Sequence, residues 1–63
     1  MLKTDLTDRE IEVANLLCEG KQSKEIAAKM IVGKRTVDFH LDNIYRKLGV
    51  KNRVQAVLRL IRE

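Results

Sequence analysis

The most constraining feature of this 63-residue sequence is the segment 34–48, which lies between Gly33 and Gly49 and contains no glycine or proline. Such a segment predicts a single helix of about four turns. At about 100° per residue its apolar residues, Val37, Leu41, Ile44 and Leu48, form the stripe that a helix packs on a core. The opposite side carries Arg35, Phe39, Asp42, Asn43 and Arg46. A phenylalanine among arginines is unusual for a solvated face and fits a helix that enters a DNA groove.

A first helix over about residues 8–19 is indicated by signals at both ends. Thr7 and Glu10 have the spacing of a capping box, and Gly20 supplies a left-handed stop. The predicted core face of this helix consists of Ile11, Val13, Ala14, Leu17 and Cys18. We therefore expect Cys18 to be a buried, reduced thiol.

Two more helices are predicted over residues 23–30 and about 53–62. Ser23 is the expected N-cap of the shorter helix, with a start at Gln22 as the alternative, and Asn52 is the expected cap of the last helix. Together with helices 8–19 and 34–48, these segments predict an all-α, four-helix bundle. Its second and third helices form a helix-turn-helix.

The last helix is apolar over an arc too wide to face a single core. Ala56, Val57 and Leu60 are assigned to the core. Val54, Leu58 and Ile61 are assigned to an interface with a partner. An exposed apolar patch favours self-association. The alternatives are an apolar terminus without a function, or a surface that another domain covers.

The length fits one domain over residues 1–63, with residues 1–5 as a lead-in. A single cysteine leaves no internal disulfide. His40 has no second ligand at zinc spacing, so we predict no metal site and no cofactor, and read His40 as a boundary residue. An enzyme is not expected, because the chain has no nucleophile–base pair and little length to build a pocket.

The net charge of +4 and pI of about 9.6 are compatible with nucleic acid, which basic proteins bind by releasing counterions. Modestly basic small proteins are common, so charge alone does not decide the function. No apolar run follows the N-terminal residues, and no segment approaches the roughly 20 apolar residues of a membrane span. We expect a cytoplasmic protein without a membrane partner.

Residues of the second and third helices are assigned to DNA contact. Phosphate ligands are expected among Ser23, Lys24, Lys34, Arg35, Thr36, Arg46 and Lys47. Asn43 is placed against a base or a phosphate. Ser23 and Lys24 begin a helix, where free N–H groups favour a phosphate.

Three residues in the middle of the third helix have two interpretations each. Asp38 and Asp42 can accept a hydrogen bond from cytosine N4, or can pair within the helix with Arg35 and Arg46 respectively. Phe39 can pack on a thymine methyl group, or can fold back over its own helix. The sequence alone leaves these alternatives open.

Several segments at fixed spacing resemble the LuxR/GerE-type DNA-binding domain. The resemblance is carried by Leu6, Thr7, Arg9, Glu10, Glu12, Val13, Gly20, residues 24–27, Thr36, Val37, His40, residues 43–50, Asn52 and Arg53. It implies a bacterial transcription regulator that binds double-stranded DNA sequence-specifically, with the third helix in the major groove. It also implies dimerisation through the fourth helix on two half-sites, and RNA polymerase is a further candidate partner. The chain departs from the family pattern at Asp38 and Asp42, where relatives are frequently basic or polar.

Two other functions compete with this interpretation. The promoter-reading fourth region of a sigma factor shares the first three helices in outline, but the Leu48-Gly49-Val50 stop and the apolar fourth helix argue against it. A protein-interaction bundle would dock a partner on the fourth helix and leave the basic third helix solvated. Steep weakening of DNA binding with salt would separate a DNA-binding domain from such a bundle.

Overall fold

The computed structural model describes residues 5–62, and these residues form four helices. They are α1 (Asp8–Cys18), α2 (Ser23–Met30), α3 (Lys34–Leu48) and α4 (Arg53–Arg62). The predicted all-α, four-helix fold is confirmed, and α1 ends one residue earlier than expected. Most of the predicted lead-in and the last residue of the single domain lie outside the described residues.

The predicted caps of α1 and α4 are present. The Glu10 N–H donates to Thr7 Oγ1 at 3.2 Å, and the Thr7 N–H donates to Glu10 Oε1 at 3.0 Å. Asn52 Oδ1 accepts from the Gln55 N–H at 2.9 Å. These bonds occupy N–H groups that have no partner inside the helix, and so fix where each helix begins.

The start of α2 corrects the expected N-cap. Gln22, not Ser23, is the extended residue before the helix, and its N–H donates to Glu25 Oε1 at 2.9 Å. Ser23 is therefore the first helical residue. The alternative start is the one adopted, because Glu25 lies three residues beyond Gln22 and can reach back to its N–H.

The end of α2 is unusual. Ile31 has φ 57° and ψ 49°, the left-handed conformation that normally falls to glycine. The Val32 N–H donates to the Ala27 carbonyl oxygen at 3.0 Å, which closes the helix end in the way Gly49 closes α3. The Ile31 side chain is 90% exposed.

The core is built around α3, which packs on α1, α2 and α4. Its four predicted stripe residues are all buried. On α4, Ala56 and Leu60 are buried, and Val57 packs partly against the core. None of the helices in the described part of the chain combines the length and apolar character that crossing a membrane requires.

The predicted face of α1 is wrong at two residues. Cys18 is exposed, and Ile11 is 36% exposed. The buried face of α1 is centred on Glu10, Val13, Ala14 and Leu17. Ile11 and Cys18 lie on the flank of that face, where they line an open cleft toward the C-terminal end of α4. The predicted face contained only apolar residues and therefore left out Glu10. Without Glu10, the centre of the predicted face was displaced toward Ile11 and Cys18.

Candidate nucleic-acid interface

The face of α3 opposite the buried stripe is exposed. Arg35, Phe39, Asp42 and Arg46 recur at intervals of three or four residues along it. Lys34 and Thr36 in the first turn are exposed, and Asp38 and Asn43 are half-buried at its edges. Packing on three helices orients α3, so this polar face points outward as a consequence of the core.

Asp38 is paired within α3, but not with the expected residue. Its Oδ2 lies 3.0 Å from Lys34 Nζ, so Lys34 replaces Arg35 as the partner. The spacing of four residues brings the two side chains together on the helix surface. The Lys34 ammonium, followed by the Ser23 hydroxyl, holds the pKa of Asp38 below its ordinary value. Ser23 of α2 is thus brought against α3.

Asp42 is placed differently from Asp38. It is exposed, and within residues 5–62 no ion pair joins it to Arg46. Of the two interpretations of Asp42, pairing with Arg46 within the helix is therefore not the one formed. The carboxylate of Asp42 is left as an acceptor on the outward face of α3.

Asp42 also lines a cleft in which the structure places cations that the sequence did not assign to the interface. The cleft runs between α3 and the start of α4 and is lined by Ser23, Asp38, Leu41, Asp42, Tyr45, Lys51, Asn52 and Arg53. Lys51 and Arg53 lie outside α3, so the periodicity of that helix could not indicate that they line the cleft. The Asn52-Arg53 pair of the family pattern was the available indication.

Arg53 and Tyr45 both line this cleft and interact electrostatically. The Arg53 guanidinium donates to the backbone carbonyl oxygen of Lys21 and so ties the start of α4 to the loop between α1 and α2. Burial raises the pKa of Tyr45, although the nearby Arg53 charge acts in the opposite direction. The phenol therefore stays protonated as a hydrogen-bonding group.

Phe39 lies on the exposed face of α3. Its side chain is 62% exposed, and its ring lies edge-on to the ring of His40, with centroids 5.8 Å apart and an interplanar angle of 61°. This edge-to-face contact favours one orientation of an otherwise exposed phenyl ring. His40 belongs to no group of potential metal ligands among residues 5–62.

Lys47 has a partner on α1. Its Nζ lies 2.7 Å from Glu10 Oε1, and the Glu10 side chain is only 5% exposed. Burial raises the pKa of Glu10, but the hydrogen bonds from Lys47 and from the Thr7 N–H, with the positive charge nearby, outweigh it. The net pKa lies below its ordinary value. One N–H of the Lys47 ammonium is therefore taken by Glu10, and only its other N–H groups are open to a phosphate. Lys24, on α2, is exposed.

The three residues assigned to a partner form an exposed apolar surface on α4. Val54 is 65% exposed, Leu58 53% and Ile61 67%. Of the residues assigned to the core, Ala56 and Leu60 are buried and Val57 is partly buried. We call Val54, Leu58 and Ile61 the α4 apolar surface.

Comparison with known proteins identifies the family. Residues 4–60 match the family described as bacterial regulatory proteins, luxR family. The chain belongs to the luxR family. It is 49% identical over 57 residues to the spore germination protein GerE of Bacillus subtilis (strain 168), which covers 90% of this chain and 77% of GerE. It is 46% identical over 54 residues to the transcriptional regulatory protein DesR of the same strain.

Two solved structures of this luxR-type fold are similar to the chain. The response regulator ChrA of a heme-sensing two-component system gives a TM-score of 0.87 at 40% identity, and the transcription factor GerE gives 0.81 at 40% identity. Both comparisons cover 90% of this chain. The chain spans 85% of the GerE structure but only 28% of ChrA, and 27% of the length of DesR.

Membership of the luxR family confirms three predictions. The chain is a helix-turn-helix DNA-binding domain of a transcription regulator, DNA is its partner, and it is not an enzyme. The comparisons assign no role to individual residues. The DNA contacts along α3 and the α4 interface therefore remain predictions.

Proposed function

We propose that this chain binds double-stranded DNA sequence-specifically, with α3 as the recognition helix in the major groove, and that it acts as a dimer joined through α4. The observation that carries the proposal is the outward face of α3. Arg35, Phe39, Asp42 and Arg46 lie along one exposed face of the helix, directly opposite a fully buried stripe. A major groove about 12 Å wide admits such a helix.

The chemistry of this face divides into phosphate and base contacts. Arg35 and Arg46 supply charge-assisted bonds to phosphates on the groove walls. Asp42 is suited to accept from cytosine N4, and Phe39 to pack on a thymine methyl group. Both of these side chains are exposed, and a base edge needs that exposure.

The start of α3 adds an electrostatic argument. Lys34 and Arg35 stand in its first turn, and Gly33 offers no side-chain cap. Cations at a helix N-terminus oppose the helix dipole and cost about 0.3–1 kcal/mol each at low salt. A DNA phosphate at this end would offset part of that cost, because it accepts from free N–H groups and is attracted to Arg35.

The α4 apolar surface supports the dimer. Three large apolar side chains, each more than half exposed, form one patch on a helix whose other side is buried. A second copy would remove this patch from water and present two recognition helices to two half-sites. We infer that such a regulator works on the chromosome in the cytoplasm, and RNA polymerase is a candidate partner there.

The salt dependence of binding tests the proposal. Fluorescence anisotropy with genomic fragments should give a log affinity that falls linearly with log salt, with a slope of about −0.9 for each phosphate neutralised. Arg35→Ala should weaken binding to every sequence and reduce that slope by about 1. Phe39→Ala should instead relax the preference at one base pair by about 1 kcal/mol.

Arg59→Ala is the matched control, because Arg59 is an exposed cation on α4 and does not belong to the outward face of α3. It should lower affinity far less than Arg35→Ala. Failure of the wild-type chain to bind any genomic fragment at low salt would contradict the proposal. Selection of bound fragments would also give the operator and its half-site spacing.

A further inference from the structure

Asp38 and Asp42 are one helical turn apart on α3, but the structure treats them differently. Asp38 is half-buried and engaged by Lys34 at 3.0 Å. Asp42 is exposed and forms no ion pair in the described part of the chain. The two carboxylates therefore have different electrostatic surroundings.

Asp38 draws on groups that a DNA phosphate would otherwise use. Lys34 is a cation in the first turn of α3, and the Ser23 hydroxyl stands at the start of α2. Both groups stabilise the ionised form of Asp38 and hold its pKa low. The Asp38 carboxylate, 3.0 Å from Lys34 Nζ, presents the same kind of anionic oxygen acceptor that a phosphate would.

We propose that Asp38 is a specificity-determining residue that masks Lys34 from DNA phosphates and so limits binding to DNA of any sequence. This inference rests on the proposed function of α3. Sequence-independent affinity comes from phosphates neutralised by cations. A lysine that is paired with a carboxylate contributes no net positive charge to the neutralisation of phosphates. The affinity for DNA therefore depends more on the base contacts of Asp42 and Phe39.

The Lys34–Asp38 pair also discriminates between two kinds of complex. A complex on random sequence is held by phosphates alone, so it gains fully from any lysine that is released. A complex on the operator is held in register by its base contacts and gains less from that lysine. Replacement of Asp38 should therefore raise affinity for random DNA more than affinity for the operator.

A double-mutant cycle on a random-sequence duplex tests this inference. Asp38→Asn keeps the shape of the side chain and removes its charge, which should make the salt slope steeper by about 0.9. Affinity should then fall about threefold more between roughly 50 and 200 mM salt than it does for the wild type. Lys34→Ala should cost less than about twofold in the wild-type background and about fivefold to tenfold in the Asp38→Asn background.

Asp42→Asn is the matched control, because it removes one negative charge from the same face without releasing a lysine. It should raise affinity through charge alone, and Lys34→Ala should cost the same with or without it. Circular dichroism of each variant checks the fold. An equal cost of Lys34→Ala in the wild-type and Asp38→Asn backgrounds overturns the inference while leaving the proposed function intact. Absence of wild-type binding at low salt overturns both.

Discussion

The backbone of Ile31, at the C-terminal end of α2, is strained. Ile31 is β-branched and follows α2 with φ 57°. The left-handed residues that follow α1 and α3 are glycines, Gly20 with φ 88° and Gly49 with φ 71°. The left-handed conformation costs an ordinary residue roughly 1–2 kcal/mol. The Ile31 side chain is 90% exposed, so its burial offsets little of that cost.

Ile31→Gly should therefore stabilise the domain. Relief of the backbone strain exceeds the extra freedom that glycine gives the unfolded chain, and the net gain should be about 0.5–1 kcal/mol. Urea denaturation followed by circular dichroism measures it as a higher midpoint at an unchanged slope.

Ala28→Gly is the control for this prediction, because Ala28 is exposed and lies inside α2. Glycine at that position should destabilise the domain by about 0.5–1 kcal/mol. If Ile31→Gly lowers the midpoint as Ala28→Gly does, the strain argument is wrong.

At the scale of elements, Glu10 joins two helices with one carboxylate. It caps α1 through the Thr7 N–H and binds Lys47 in the last turn of α3 at 2.7 Å. In both contacts the Glu10 carboxylate oxygen accepts a hydrogen bond, which favours its ionised form. The pKa of Glu10 is lowered in spite of its burial. The Glu10 carboxylate thus links the start of α1 to the last turn of α3.

This arrangement predicts a defined pH dependence. A lowered folded-state pKa means that the unfolded chain binds more protons, so the stabilisation is complete above the unfolded pKa and is lost as pH falls through the folded pKa. Glu10→Gln keeps an oxygen acceptor for the Thr7 N–H but removes the charge. It should cost about 1 kcal/mol at neutral pH, a value discounted because the Lys47 ammonium is partly exposed.

Urea midpoints of the wild type and Glu10→Gln should converge as the pH falls from about 5 toward about 2. The control is Glu12→Gln, because Glu12 pairs only with Arg9 at 3.7 Å and both side chains are exposed. That variant should change stability little at any pH. A difference between the wild type and Glu10→Gln that stays constant with pH would count against the Glu10–Lys47 pair.

The elements also show which parts of this fold a sequence can predict. Helix ends follow from local signals such as Thr7 with Glu10, or Gly49, and the four helices were predicted almost to the residue. The α3 face followed from the periodicity of its apolar stripe. Partnerships between elements, such as Lys47 with Glu10 or Arg53 with the Lys21 carbonyl, leave no periodic signal because they join distant residues.

At the scale of the whole molecule, Arg53 lies between the two proposed interfaces. It lines the cleft beside Asp42 on α3, and it also lines the cleft between α1 and α4 that contains Val54 and Leu58. Its bond to the Lys21 carbonyl oxygen fixes the start of α4. Arg53 therefore adjoins both the outward face of α3 and the α4 apolar surface, so docking of a second copy on α4 would set the direction in which each α3 points.

Leu58→Asp tests this coupling of dimerisation to DNA binding. Leu58 is 53% exposed, so aspartate should leave the monomer folded but place a charge in the middle of the α4 apolar surface. Cooperative binding to a palindromic duplex should be lost, while affinity for a single half-site should fall only by the effect of the added charge. Gln55→Asp is the control, because it adds the same charge to an exposed residue of α4 outside the apolar surface. If Leu58→Asp and Gln55→Asp bind the palindrome with equal cooperativity, the two copies do not meet on this surface. Sedimentation velocity on the duplex would give the number of bound copies directly.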